Sequence, residues 1–365
     1  MKSPGDDFTE DIALLQKLKD RGLSRRDFMK FCAAMAATLA LPASFAGKIA
    51  EAVEKAKRPS LVWLEFQDCA GNTEALLRAT KPTITELVLD ILSIDYHETI
   101  MAPAGHQAEK SLEDVVNNQK GKYIAVVEGS IPMADNGVYC CIGGKSAIEI
   151  ARKVCGNAMA TIAVGTCAAF GGLPAAKPNP TGAVSVKEAV PGITLLNLPG
   201  CPANVENITA TIVHFLTFGK LPATDELGRP YFAHGKRIHD NCERRAHFDA
   251  GQFVRAWGDE GHRKGWCLYE MGCKGPEAFY NCPTVKYNAG TSWPVQAGHG
   301  CIACAVPNFW DTMTPFYKRL PNVPGFGVEN TADKIGAGVA GVVAAGIAAH
   351  RIARAVKGKD ESKDK

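Results

Sequence analysis

The chain has 365 residues, 46% of them hydrophobic, a formal net charge of +3 and 13 cysteines. That length holds two domains with extensions at the ends, and so small and scattered a charge gives no basis for nucleic-acid binding. Thirteen cysteines are many for a cytosolic enzyme, sparse for a small disulfide scaffold, and odd in number, so cofactor ligation is the expectation.

Residues 1–46 read as an export signal. Ser24-Arg25-Arg26-Asp27-Phe28-Met29-Lys30 is a twin-arginine pattern, followed by the apolar run from Phe31 to Leu41 and the small-residue stretch Ala43-Ser44-Phe45-Ala46. The run is too short to span a bilayer. Folded proteins take the twin-arginine route, so a cluster would be inserted before export. Cleavage is expected near Ala46, and Cys32 would leave with the signal. The alternative is an ordinary amphipathic helix carrying two arginines.

From 58 to 221 strands and helices alternate. Leu61 to Phe66 reads as a buried strand, and a helix resumes near Thr73 after the turn Asp68-Cys69-Ala70-Gly71-Asn72. Further strands are expected at Tyr123 to Val127, Thr161 to Val164 and Ile193 to Leu198. Helices are expected near Leu112 to Asn117, Ser146 to Val154 and Val205 to Phe218. This alternation predicts an α/β fold with a doubly wound parallel sheet, whose ligands bind beyond the carboxyl ends of the strands. Three such ends carry Cys69, Cys167 and Cys201, so a first metal site is expected there. Glu128, also at a strand end, either faces that site or is an ordinary satisfied carboxylate. Cys140, Cys141 and Cys155 are expected to be buried thiols.

From 222 to 320 periodicity gives way to Gly, Pro, His and aromatic residues. The segment contains His239-x2-Cys242, Cys267, Cys273, Cys282 and Cys301-x2-Cys304. Soft thiolates in such number favour iron–sulfur clusters, zinc or copper. Four ligands followed by three suggest two separate centres, and bound groups would order a segment with little periodicity. His247, His262 and His299 read as hydrogen-bonded structural residues. Asp240, Glu243, Arg244, Arg245, Asp249 and Arg255 read as a surface that meets a partner.

Residues 333–356 read as a transmembrane anchor. Ile335 to Ala349 carries no charge, and extension to Val356, with His350, Arg351 and Arg354 snorkelling outward, gives a spanning length. The basic residues beyond it place the C-terminus in the cytoplasm and the body outside. Ala337, Gly341, Ala345 and Ala349 form a small-residue stripe suited to helix packing. A soluble packing helix is the alternative.

Taken together, Cys69, Gly165-Thr166-Cys167, Pro199-Gly200-Cys201-Pro202, His239-x2-Cys242, Cys267-x5-Cys273, Cys282 and Cys301-x2-Cys304 resemble the small subunit of membrane-bound nickel–iron hydrogenases of the uptake, periplasmic type. The resemblance runs over essentially the whole chain. It implies a flavodoxin-like domain, an irregular iron–sulfur cluster-binding domain and a C-terminal transmembrane helix. Cys69, Cys167 and Cys201 would hold a proximal 4Fe-4S cluster. His239, Cys242, Cys267 and Cys273 would hold a distal 4Fe-4S cluster. Cys282, Cys301 and Cys304 would hold a medial 3Fe-4S cluster, with Pro294 where a fourth cysteine would stand. The family usually shows Cys-x2-Cys at the first strand end, and here the second position is Asn72. The fourth proximal ligand is then Asp68, Asn72, a cysteine from elsewhere (Cys140 or Cys141), or absent; Asp68 is favoured as an adjacent anion. The extra cysteines of the oxygen-tolerant cluster would lie near Gly71 and Ala175, and neither position has one.

The implied function is electron transfer in hydrogen oxidation or evolution, with no catalytic residue of its own and with His239 at the electron exit. Implied partners are a nickel–iron large subunit, in a heterodimer or a dimer of heterodimers, and a membrane cytochrome b or a ferredoxin-like protein with a quinone-reactive membrane subunit. The implied location is the periplasmic side of the inner membrane. Two rival readings remain: an iron–sulfur subunit of a different redox complex, and a zinc- or disulfide-stabilised periplasmic binding module.

Overall fold

In the computed structural model, which describes residues 25–55, 58–80, 82–320 and 338–351, the apolar runs of the first half become one sheet. Its strands are β1 (Ser60–Glu65), β2 (Ser93–His97), β3 (Ile124–Glu128), β4 (Ala160–Val164) and β5 (Leu195–Leu198). They pair in the order β2-β1-β3-β4-β5, and every pairing is parallel. This is the flavodoxin-like order, with its switch point between β1 and β3. All residues of β1, β3 and β4 are buried, as befits strands covered on both faces. The expectation omitted β2, and its composition explains why. Ser93-Ile94-Asp95-Tyr96-His97 is a polar edge strand, half-buried over its first three residues, and Asp95 accepts the hydroxyls of Ser60 and Ser93.

The helices that matter below are α1 (Arg25–Thr38), α2 (Phe45–Lys55), α3 (Gly71–Leu77), α4 (His106–Asn118), α5 (Ala147–Cys155), α6 (Gly165–Phe170) and α7 (Val205–Phe218). α5 opens with a capping box in which Ser146 pairs with Glu149. Asn204 caps α7, its side chain accepting from Glu206 N at 2.9 Å, and Gly219 ends the helix in the left-handed region. Alternation along β1 sends Leu61 and Trp63 into one core, with α1, α2 and α7, and Val62 and Leu64 into the other, with α4 and α5.

Register lines up the carboxyl ends of the sheet. Glu65 lies beside Glu128, Glu128 beside Val164, and Val164 beside Leu198. The three cysteine-bearing loops therefore leave from one edge.

Among the described residues from 222 to 320, no helix exceeds the five residues of Arg245–Asp249. The segment is tied to the sheet domain by polar contacts. Thr166 donates its hydroxyl to Cys304 O, Asn207 and Asn281 exchange amide bonds of 2.8 and 2.9 Å, and Arg78 donates to Asn288 Oδ1 at 3.3 Å.

Both expected terminal addresses fall partly outside the described residues. Of the export signal, residues 25–46 form α1 and the start of α2. Residues 338–351 form a separate helix, exposed throughout, and the rest of the expected anchor is not described. Among the described residues, no helix is long and apolar enough to cross a membrane.

Candidate metal centres

The first site lies at the aligned strand ends. Cys69 ends the turn into α3, Cys167 sits in α6, and Cys201 follows β5. Cys69 and Cys201 are exposed and Cys167 is half-buried. Burial pushes the Cys167 thiol up to about 11, and the charges of Cys201, Cys69 and Asp68 act in the same sense. Those four groups thus share one electrostatic neighbourhood. Gly172, at φ +56°, allows the close turn after α6, since a Cβ there would lie 2.6 Å from Cys167 Sγ.

Beneath this edge Glu128 is fully buried. Its Oε1 accepts from Asn72 N at 2.7 Å and Asn72 Nδ2 at 3.0 Å. Its Oε2 accepts from Thr73 N at 2.9 Å, Thr73 Oγ1 at 2.7 Å and Trp63 Nε1 at 3.3 Å. Ala70, at the N-cap of α3, has no side-chain cap bond, so Glu128 performs that service from another strand. Asn72 is buried and engaged at both amide ends, because its Oδ1 accepts from Ala203 N at 2.8 Å. Asp68 is less enclosed. Its Oδ2 accepts from Ala70 N at 3.1 Å, and burial, then the charge of Glu128, raises its carboxyl to about 6.

The second site gathers His239, Cys242, Cys267 and Cys273. His239 is buried edge-on against Phe248, with ring centroids 4.6 Å apart. Burial lowers its pKa and favours the neutral imidazole that ligates metals. Burial raises Cys242 to about 11 and Cys267 to about 12. Arg244 N donates to Cys242 Sγ at 3.4 Å.

The third site contains Cys282, Cys301 and Cys304. All three line a cavity of about 660 Å³ together with Cys201 and Pro294. Burial raises Cys304 to about 12, helped by the charge of Cys201, so the third site adjoins the first. On its other side Cys301 N donates to Cys273 Sγ at 3.2 Å, so it also adjoins the second. The spatial order is therefore first, third, second, although the chain order is first, second, third.

These donors suit a group larger than one ion. Among the described residues, the only set of three or more His, Cys, Asp or Glu side chains with ligand atoms all within 4.8 Å of one another is Glu65, Asp68 and Glu128. Thiolates on a single zinc at ~2.3 Å would stand about 3.8 Å apart, and no set of three described cysteines is drawn that close. Backbone N–H groups aim at sulfur at Cys242, Cys273 and Cys301, the kind of bond that tunes an iron–sulfur centre. None of the thirteen cysteines is joined in a disulfide, which leaves the disulfide alternative without a bridge.

Two expectations need correction. Cys155 is buried, but Cys140 is half-buried and Cys141 exposed, because Cys141 lies in a two-residue strand of a short hairpin. Arg244 is not open surface, whereas Glu243 is exposed as expected. Arg244 is buried and donates to Trp266 O at 2.7 Å, and Glu243 accepts from Trp293 Nε1 at 3.0 Å. The structural reading of His247, His262 and His299 fits their bonds to Gln252 Oε1, Gly298 O and Gly300 O. Lys274 went unnoticed in the sequence. It is buried between the second and third sites, and its Nζ donates to Pro315 O at 3.1 Å and to Lys318 O. Its place directly after Cys273 was the available signal.

Residues 234–317 match the family model for the C-terminal part of the "NiFe/NiFeSe hydrogenase small subunit", and residues 69–215 match "NADH ubiquinone oxidoreductase, 20 Kd subunit". The chain is 48% identical over 340 residues to the uptake hydrogenase small subunit of Azotobacter vinelandii, covering 93% of this chain and 95% of that one. It is 48% identical over 343 residues to the quinone-reactive Ni/Fe-hydrogenase small chain of Wolinella succinogenes, covering 92% and 97%. The solved Ni-Fe-Se hydrogenase from Desulfomicrobium baculatum superposes with a TM-score of 0.69 at 33% identity, over 72% of this chain and 100% of that chain.

Proposed function

Because this chain belongs to the small-subunit family of nickel–iron hydrogenases, of the uptake and quinone-reactive type, we propose that its three ligand sets form one electron path. The path would run from a large subunit that cleaves dihydrogen to a quinone-linked membrane acceptor. The observation that carries this reading is the contiguity of the sets: Cys201 beside Cys304, and Cys301 bonded to Cys273. Iron–sulfur clusters, when bound, supply one-electron storage at potentials set by ligand, charge and hydrogen bonding. Cys69, Cys167 and Cys201 would hold the proximal 4Fe-4S group. Cys282, Cys301 and Cys304 would hold the medial 3Fe-4S group, with Pro294 in the wall of the same cavity. His239, Cys242, Cys267 and Cys273 would hold the distal 4Fe-4S group. The body would lie on the periplasmic side of the inner membrane, exported by residues 1–46 and anchored through residues 333–356. The acceptor would be a membrane cytochrome b or a ferredoxin-like protein with a quinone-reactive subunit.

The protein supplies sulfur donors, burial and fixed charge. Burial lowers the pKa of Lys274, and the charges of Cys273 and Cys301 oppose that and favour its protonated form. In its ammonium form, donating to Pro315 O and Lys318 O, it would favour electron arrival between the second and third sites. The purified heterodimer should contain about eleven irons and about twelve acid-labile sulfides in the small subunit. Zinc in place of iron would sink the reading.

At the first site we assign the fourth corner to Asp68. Asn72 spends its amide on Glu128 and Ala203, whereas Asp68 lies within electrostatic reach of Cys167 and on the solvent side of Glu128. Asp68→Ala should change the Mössbauer parameters of one iron in the proximal group, and Asn72→Ala should not. Unchanged spectra in Asp68→Ala would reject the assignment.

A further inference from the structure

The helix pair α1–α2 has no part in electron transfer, yet it is built into the core. On α1, Phe28, Phe31, Cys32, Met35 and Ala36, with Leu39 just past its end, recur at intervals of three and four and are all buried, while Lys30, Ala33, Ala34 and Ala37 on the opposite side are exposed. α2 repeats the stripe with Ala46, Ile49, Ala50 and Val53. α1 packs on α2, and both pack on α7. The rings of Phe45 and Phe218 lie 6.1 Å apart at the far end of that contact. These side chains share one core with Trp63 of β1 and Ile212 of α7. An export signal trailing from a finished domain would show none of this burial.

α7 also leads out of the cysteine loops. Cys201 lies four residues before its first residue, Ala203 N is bonded to Asn72, and Asn204 N donates to Tyr280 Oη at 2.8 Å. Asn204 Nδ2 donates to Lys286 O. The surface that receives α1 therefore depends on a helix whose start is clamped to both cysteine-bearing regions.

We infer that the shared face of α2 and α7 is a docking surface for an apolar helix, and that in the precursor its occupant is the twin-arginine segment of the same chain. This rests on reading residues 1–46 as an export signal. An export receptor needs the apolar stripe that the body already holds, so the two compete for one segment. The receptor's apparent affinity falls in proportion to the undocked fraction. The leader is thus sheltered while the chain folds and takes up its metal, and it is handed over by displacement.

Hydrogen exchange on the full precursor, purified with its large subunit, tests this. Amides of residues 28–39 should exchange at least tenfold more slowly than in a synthetic peptide of residues 24–46. Met35→Asp, in the buried stripe, should abolish that protection, and Ala33→Asp, on the exposed side, should retain it. Equal exchange in wild-type precursor and free peptide would overturn the inference without any variant having to fold. Slow exchange in β3 and β4 reports that the body of Met35→Asp is intact. Replacing Arg25 and Arg26 by Lys separates the two readings: export should stop while protection persists. Continued export would remove the export reading and leave docking in place.

Discussion

Cys304→Ala should lower electron delivery from hydrogen to a quinone analogue by about a hundredfold or more, while hydrogen isotope exchange in the same preparation stays near the unaltered rate. Partners one shell removed from a metal already carry ~10–100-fold in affinity or activity, and loss of a thiolate exceeds that. The position magnifies the effect. Cys304 is half-buried beside Cys201 of the first site, lines one cavity with Cys282 and Cys301, and fixes its own carbonyl to the Thr166 hydroxyl. Alanine retains the backbone and that carbonyl bond, so the loss is one of ligation and not of fold. Isotope exchange needs only the partner's catalytic centre, so it reports whether that centre survives. Cys141→Ala, on the exposed hairpin, should leave both rates unchanged. Electron delivery within a few fold of the unaltered rate in Cys304→Ala would show that the middle site does not lie on the path.

Glu128→Gln should lower the stability of the chain by about 2–6 kcal/mol, or roughly 4–24 °C in Tm at ~2–4 °C per kcal/mol. The carboxylate is fully buried and accepts four N–H bonds, two at each oxygen, and shares the Thr73 hydroxyl with Glu65 Oε1. Whichever way a glutamine amide turns, its NH2 faces buried donors, and at least two of them lose an acceptor. The N–H groups of Asn72 and Thr73 belong to the first turn of α3, which has no cap of its own. Thermal unfolding of the apo-chain, followed by far-UV circular dichroism, gives the shift. A change within one degree would mean that those donors find other acceptors and that Glu128 does not hold α3 in place.

Four of the five strands could be read from composition because they are continuous apolar runs with both faces covered. β2 could not, since Asp95 and Ser93 satisfy each other at an edge and break the run. The ligand sets were legible for a chemical reason: Cys and His at such spacing have few other uses. Their mutual arrangement was not, because the contacts of Cys201 with Cys304 and of Cys273 with Cys301 join residues far apart in sequence. Asn72 illustrates a third case. The sequence shows that a thiolate is missing, but only the bonds to Glu128 and Ala203 show that its amide is already committed. The helix α1 reads as a detachable address in the sequence, and nothing in a local apolar run announces that Cys32 and Met35 will be fully enclosed.

One peptide group, the amide of Cys301, ends on the sulfur of Cys273. Neither loop is a self-contained cassette. A graft carrying 282–304 into another scaffold without 267–273 would leave that N–H pointing at nothing, and the reverse graft would strip that sulfur of an amide supplied by its neighbour. Lineages that reshuffle redox modules would have to move the two stretches as a pair.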